Sequence, residues 1–118
     1  MTRNAQSDDL HRAVQRFASG DRSRSFSELA LEIAAFQRQF SPGFERLCKS
    51  RGGSLTRVDD IPGVPCDAFR LARVAVHPES EDCLRFFTSG TTSGTRGVHA
   101  MRVTETYRVL ASQFGRSA

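Results

Sequence analysis

The run Thr88–Gly97 constrains the fold most, because it has no apolar side chain that a core could bury. Six of its first eight residues carry a hydroxyl group and the other two are glycine. Backbone N–H groups of such a segment can converge, its hydroxyls can donate hydrogen bonds, and Arg96 adds a positive charge. This combination suits the phosphates of a nucleotide. The competing interpretation is a solvated Ser/Thr/Gly-rich loop or linker.

Two common phosphate-binding motifs are excluded. A Walker A loop starting at Gly90 would need glycine and lysine where the sequence has Thr95 and Arg96. The dinucleotide-binding fingerprint needs two glycines separated by one residue, and the sequence has no such pair. The run is therefore a candidate phosphate loop of another type.

Composition indicates one domain or part of one, with a modest core, since 38% of the 118 residues are hydrophobic. The net charge is +4, but no block of five like charges occurs, so no nucleic-acid partner is expected. The cysteines Cys48, Cys66 and Cys83 are odd in number and far apart, and we expect small buried side chains in a reducing compartment. Without a signal peptide or a membrane-spanning apolar run, a cytoplasmic location is predicted.

The N-terminal half is predicted to be helical. Ser7-Asp8-Asp9 has the composition of a helix start, and Gly20 ends that helix. Ser25-Phe26-Ser27-Glu28 matches a capping box and starts a second helix. Ser41-Pro42-Gly43 starts a third, short helix that ends at Gly52-Gly53. The apolar positions predicted to face the core are Leu10, Val14, Phe17, Leu29, Ile33, Phe36, Phe40, Phe44 and Leu47.

The C-terminal half changes character. Residues 61–65 are predicted to be extended before their prolines, and residues 66–70 to form a single turn. Strands are predicted at 71–76 and 83–87, followed by the loop. A last helix starts at 104–106 and ends at Gly115, with its inner face formed by Tyr107, Leu110 and Phe114.

Two strands make only a marginal sheet. We therefore predict an α/β fold that is incomplete in this chain. A helical lead-in covers residues 7–53 and a strand–loop–helix segment covers 61–115. Residues 1–118 would then be the N-terminal fragment of a larger domain.

Two motifs resemble a known enzyme family. Phe87–Gly97 resembles the phosphate loop of the adenylate-forming enzymes, (Y/F)TSGTTGxPKG, although Ser93, Thr95 and Arg96 replace its glycine, proline and lysine. Arg96 keeps the positive charge as a planar fork. Residues 61–70, IPGVPCDAFR, resemble the IPxxPxxxFK segment of the acyl-protein synthetase branch, the LuxE-like fatty-acid ligases.

The resemblance implies the N-terminal part of an ATP-dependent acyl-protein synthetase with an adenylate-forming-enzyme-like fold. In that family a long-chain fatty acid attacks the α-phosphate of ATP in the presence of Mg²⁺, and the acyl group then passes to a thiol of an acceptor protein. The resemblance implies no catalytic residue and no metal ligand in this chain. The implied phosphate-binding residues are Thr88, Ser89, Gly90, Thr91, Thr92, Ser93, Gly94, Arg96 and Gly97.

The family's adenine-binding and ribose-binding segments follow this loop and have no counterpart in the sequence, so we expect the isolated chain to be inactive. One alternative is a non-catalytic phosphate-binding or regulatory module. Another is an Arg-rich nucleic-acid-binding protein, whose affinity would fall steeply with salt.

A few other polar residues could take part in a site. His99 and Arg102 follow the loop closely enough to reach a ligand, although a histidine in the position of His99 is more often an ordinary polar residue beside a strand than a catalytic one. His11 and His77 are predicted at the surface, and Asp59-Asp60 in a solvated turn.

Overall fold

The computed structural model describes residues 1–88 and 96–117 and combines helices with a small antiparallel sheet. The chain forms two compact units. We call Met1–Pro62 together with Glu105–Ala118 the helical unit, and Gly63–Thr104 the hairpin unit. The described elements are α1 (Arg3–Ala18), α2 (Phe26–Phe40), α3 (Pro42–Ser50), α4 (Ala68–Leu71), β1 (Leu84–Phe87), β2 (Val98–Met101) and α5 (Glu105–Ser117), with short 3-10 turns at Val58–Asp60 and Glu79–Glu81. None of the described helices is long and apolar enough to cross a bilayer.

Helix α1 begins earlier than predicted. The Thr2 hydroxyl accepts a hydrogen bond from the Ala5 amide at 3.1 Å and caps the helix, so the prediction of a start at Ser7 was wrong. Ser7 is instead buried within the helix. The acidic residues that suggested a helix start lie in the middle of α1, where Asp9 pairs with Arg12.

Helices α2 and α3 follow the sequence prediction closely. The Ser25 hydroxyl accepts from the Glu28 amide at 3.1 Å, which confirms the predicted cap. Pro42 lies in the first turn of α3, where backbone N–H groups have no partner within the helix, so the lack of an N–H in proline costs no hydrogen bond. After α3, Gly52 and Gly53 have φ angles of 102° and 80°, a region that favours glycine, and they end the helix as predicted.

The apolar core of the chain lies in the helical unit. The Phe36 and Phe40 rings of α2 are 5.1 Å apart and tilted, and Phe36 is buried. The half-buried Arg38 guanidinium pairs with Glu45 of α3 and donates to the Gly53 carbonyl at 2.7 Å. The buried apolar residues are Ala13, Leu29, Ala34, Phe36 and Cys48.

Helix α5 packs against α1, but not through the residues predicted for its inner face. Tyr107 and Leu110 are 59% and 43% exposed, and the side chain of Phe114 lies outside the described residues. Among the described side chains of α5, Thr106 is the buried one, and its hydroxyl lies 2.7 Å from His11 Nδ1. His11 is therefore half-buried and not a surface residue. The helix also continues through the predicted stop at Gly115.

The hairpin unit contains a different sheet from the one predicted. Strands β1 and β2 pair antiparallel, with Phe86 opposite His99. The part of the phosphate-loop candidate that lies outside the described residues, 89–95, stands between the two strands in sequence. Residues 71–76 do not form a strand. Instead, the Arg73 guanidinium donates to the His77 carbonyl at 2.8 Å, and this bond holds the segment in an irregular turn. The turn predicted at 66–70 is confirmed as the start of α4, which packs against β2.

Candidate phosphate-binding site

The described ends of the phosphate-loop candidate are tied together by Thr88 and Gly97. The Thr88 amide donates to the Gly97 carbonyl at 3.0 Å, and the Gly97 amide donates to the Thr88 hydroxyl oxygen at 2.8 Å. The first bond continues the backbone pairing of β1 and β2 beyond Phe87 and Val98, and the second adds a side-chain contact to it. The candidate loop therefore leaves and re-enters the hairpin at one fixed neck.

Gly97 is buried at this neck, where the space for a side chain is tight. A Cβ atom at this position would lie 3.2 Å from Thr88 Cγ2 and 3.4 Å from Phe69 Cβ. Both distances are short for carbon–carbon contacts. The closing glycine of the motif thus permits a close approach between the strand end, the Thr88 side chain and α4.

Three of the nine residues predicted to bind phosphate are described. Thr88 and Arg96 are exposed, and Gly97 is buried. The Thr88 hydroxyl accepts from Gly97, so its own O–H remains able to donate to a ligand. The six others lie outside the described residues: Ser89, Gly90, Thr91, Thr92, Ser93 and Gly94.

Phe69 joins the two sequence motifs in space. Its Cβ approaches Gly97, and its ring stacks on the His99 ring with centroids 4.0 Å apart and planes at 24°. Sequence analysis named His99 as a possible neighbour of a ligand but assigned no role to Phe69. The sequence feature that could have indicated a role for Phe69 is its place near the end of the 61–70 motif. In the structure Phe69 lies on α4, which packs against β2.

A second polar cluster of the hairpin unit is centred on Asp82, whose side chain is only 5% exposed. Arg73 donates to both carboxylate oxygens at 2.7 and 3.1 Å, Arg85 Nε donates at 2.9 Å, and His77 Nε2 lies 2.7 Å away. The hydrogen bonds from Arg73, and then those from Arg85 and His77, hold the pKa of the Asp82 carboxyl far below its usual range. Burial opposes this shift but is the weaker effect.

His77 in this cluster is buried, so its prediction as a surface residue was wrong. The neighbouring proline made a surface turn plausible from sequence, but the Asp82 carboxylate five residues later draws the ring inward. The cluster fixes the segment that enters β1. Because the polar atoms of the cluster form hydrogen bonds with one another, we assign the Asp82 cluster a structural role.

Asp60 is a further example of a carboxylate with a structural role. It accepts from the Arg57 and Thr56 amides at 3.0 Å each, and these bonds lower the pKa of its carboxyl group. The predicted turn at Asp59-Asp60 is confirmed. Among residues 1–88 and 96–117 there is no group of three or more His, Cys, Asp or Glu that could hold a metal ion. The described residues thus offer no carboxylate-rich ligand set for a protein-bound Mg²⁺.

The cysteines differ in environment. Cys48 is buried in the helical unit, as predicted. Cys66 and Cys83 are exposed, so the expectation of small buried side chains was wrong for them. Cys66 precedes α4 in a turn, and Cys83 precedes β1, whose residues are all exposed. None of the three is assigned a catalytic role.

No protein-family model matches the chain, and no curated protein or solved structure matches it at a significant level.

Proposed function

We propose that this chain is the N-terminal part of an ATP-dependent acyl-protein synthetase of the LuxE-like branch, and that residues 88–97 bind the phosphates of ATP. The observation that carries the proposal is the neck of the hairpin. There, two hydrogen bonds between Thr88 and Gly97 hold together both ends of the segment that resembles the family's phosphate loop. The 61–70 motif of the same branch lies against this neck through Phe69.

In the proposed reaction the fatty-acid carboxylate attacks the α-phosphate of ATP, giving acyl-adenylate and pyrophosphate. The thiol of an acceptor protein then loses its proton and takes the acyl group, and AMP is released. Arg96 is exposed next to the neck, and its guanidinium would offset the charge that develops on the leaving pyrophosphate. Thr88 would donate its hydroxyl proton to a phosphate oxygen. Ser89, Gly90, Thr91, Thr92, Ser93 and Gly94 are proposed ligands on their sequence resemblance alone. Mg²⁺ would arrive bound to the nucleotide.

The exposed strand β1 supports the larger domain that this proposal needs. Leu84, Phe86 and Phe87 are 44%, 39% and 58% exposed, and successive residues of a strand point to opposite faces. Both faces of β1 thus present apolar side chains. A strand buried on both faces inside a wider sheet has this composition. The complete enzyme would cover these side chains, and the proposal assigns acid activation to that complete enzyme.

Nucleic acid is not part of the proposal. Many of the arginines are engaged by carboxylates, which lowers the positive potential that they could offer to a phosphate backbone. The arginines in ion pairs include Arg12, Arg16, Arg24, Arg38, Arg70, Arg73, Arg85 and Arg108.

Calorimetric titration with MgATP and with inorganic tripolyphosphate tests the proposal. We expect both ligands to bind. Arg96→Ala should weaken each by about 10-fold or more, since a hydrogen bond to a charged group contributes about 1.5–3 kcal/mol. Gly90→Val should also weaken each, because a β-branched side chain would hinder the approach of backbone N–H groups to a phosphate. Arg46→Ala is the matched control, because Arg46 is exposed on α3 in the other unit.

Unchanged binding in both Arg96→Ala and Gly90→Val would refute the phosphate-loop assignment. We expect similar affinities for tripolyphosphate and MgATP, because the sequence has no counterpart of the family's adenine-binding and ribose-binding segments. Binding that falls steeply with salt and extends to random-sequence DNA would favour the nucleic-acid alternative.

A further inference from the structure

We infer that Phe69 is a positioning residue for the phosphate loop and that it acts through Gly97 and His99. The inference rests on the proposed function of residues 88–97. It also assigns a task to the 61–70 motif, which the phosphate-binding proposal leaves without one.

The position of Phe69 is fixed by a short chain of backbone bonds. The Ala68 amide donates to the Pro65 carbonyl at 3.0 Å, and the Phe69 amide donates to the Cys66 carbonyl at 3.2 Å. The Ala72 amide then closes α4 on the Ala68 carbonyl at 2.9 Å. The motif thus folds into a turn and one helical turn, which together set the direction in which the Phe69 side chain leaves the backbone.

Gly97 directly precedes β2 and lies two residues before His99, so the two positions are on the same side of the extended chain. Phe69 covers that side at both positions. Its Cβ lies against Gly97, and its ring stacks on His99 with centroids 4.0 Å apart. A parallel ring contact restricts both the distance and the tilt of the strand, which an aliphatic contact does less strictly.

The contact acts on the loop through its neck. The Thr88 side chain and Phe69 both lie close to Gly97, so that a Cβ atom at this position would be 3.2 Å from Thr88 Cγ2 and 3.4 Å from Phe69 Cβ. Movement of Phe69 would therefore change the geometry in which the Gly97 amide donates to the Thr88 hydroxyl. Arg96 directly precedes Gly97, so the same movement would change the direction in which its guanidinium leaves the hairpin.

The test compares four variants of the full chain: Phe69→Ala, Phe69→Leu, Phe69→Tyr and Leu71→Ala. Leu71 is the matched control, since it lies on the same short helix and is 76% exposed. Three quantities are measured: the affinity for MgATP, the hydrogen exchange rate of the Gly97 amide, and the chemical shifts of the His99 ring protons. The last two require no ligand.

We expect Phe69→Ala to weaken MgATP binding by about 10-fold and to accelerate Gly97 exchange by a similar factor. Phe69→Leu keeps apolar volume but not the planar ring, so it should show an intermediate loss. Phe69→Tyr keeps the stacked ring and should restore affinity, exchange and the upfield His99 shifts to near wild-type values. Leu71→Ala should change none of them.

The outcomes separate this inference from the proposed function. If wild-type protein does not bind MgATP, the proposed function fails, while faster Gly97 exchange in Phe69→Ala and its recovery in Phe69→Tyr would still support the positioning role. If wild-type protein binds MgATP but Phe69→Ala and Phe69→Leu match it in affinity and exchange, the positioning role is wrong. If Phe69→Ala does not fold, the comparison of Phe69→Leu with Phe69→Tyr decides, and equal values in the two overturn the inference.

Discussion

Replacing Gly97 by alanine should destabilise the hairpin by an amount that the structure allows us to estimate. The new Cβ would lie 3.2 Å from Thr88 Cγ2 and 3.4 Å from both Phe69 Cβ and Thr88 Oγ1. Overpacking of this kind costs about 1–3 kcal/mol. A second effect opposes this steric cost. A Gly→Ala change restricts the backbone of the unfolded chain, which stabilises a protein by about 0.4–1 kcal/mol.

Gly63→Ala provides the matched control in the same unit. A Cβ at Gly63 would meet nothing within 4 Å, so this variant should show only the stabilising effect on the unfolded chain. Subtracting the two results removes that effect and leaves the steric cost at Gly97. We expect a difference of about 1–3 kcal/mol between the variants, equivalent to about 5- to 150-fold in the opening equilibrium.

The assay is hydrogen exchange of the Thr88 amide, which donates to the carbonyl of residue 97 in every variant. Under conditions where exchange reports the opening equilibrium, its rate gives the free energy of local opening directly. The Glu28 amide, bonded to Ser25 in the helical unit, should keep its wild-type rate and serves as the internal reference. Equal Thr88 exchange in Gly97→Ala and Gly63→Ala would refute the packing argument.

Two further predictions concern capping and pH. Ser25→Ala should lower the free energy of unfolding of the helical unit by about 1 kcal/mol, because α2 loses its cap, whereas the control Ser27→Ala should not. Urea denaturation followed by circular dichroism measures both, and equal losses of stability in the two variants would contradict the assigned cap. The folded-state pKa of Asp82 is lowered, so its contribution to stability is present above its unfolded pKa of about 4 and is lost as the pH falls through and below that value. NMR can follow the thermal unfolding of the hairpin at a series of pH values from neutral to acidic. The unfolding temperature should depend less on pH in Asp82→Asn than in wild type or in Asp67→Asn, whose aspartate is exposed and serves as the control. The same pH dependence in Asp82→Asn as in wild type would contradict the cluster's role.

The helices were largely predictable because their signals are local. The Ser25 hydroxyl caps α2 by accepting from the amide of Glu28, three residues later, so the cap can be recognised from the local sequence alone. The same holds for Pro42 at the start of α3 and for the glycines after its end. The start of α1 was misjudged because Ser7 and its acids look like a cap, while the Thr2 cap has no following acid in the first turn.

The sheet was less predictable because strand pairing depends on contacts distant in sequence. Residues 71–76 have apolar residues at irregular spacing, and Arg73 binds Asp82 nine residues away instead of leaving the segment extended. Strand β2 was missed, although Val98-His99-Ala100 alternates apolar and polar residues directly after the motif. At the neck, the sequence identified Thr88, Arg96 and Gly97, but not the packing of Phe69, because no local pattern encodes a contact between two motifs.

The packing of α5 on α1 has a consequence for synthesis on the ribosome. The helical unit is discontinuous in sequence, since Gly63–Thr104 is inserted between its two parts. Helices α1, α2 and α3 can associate as soon as they emerge, but the Thr106 hydroxyl can reach His11 and Gln15 only after the whole insertion has been translated. Closing such a long connection costs conformational entropy that grows slowly with its length. We therefore expect the nascent chain to expose one face of α1 until α5 docks and completes the helical unit.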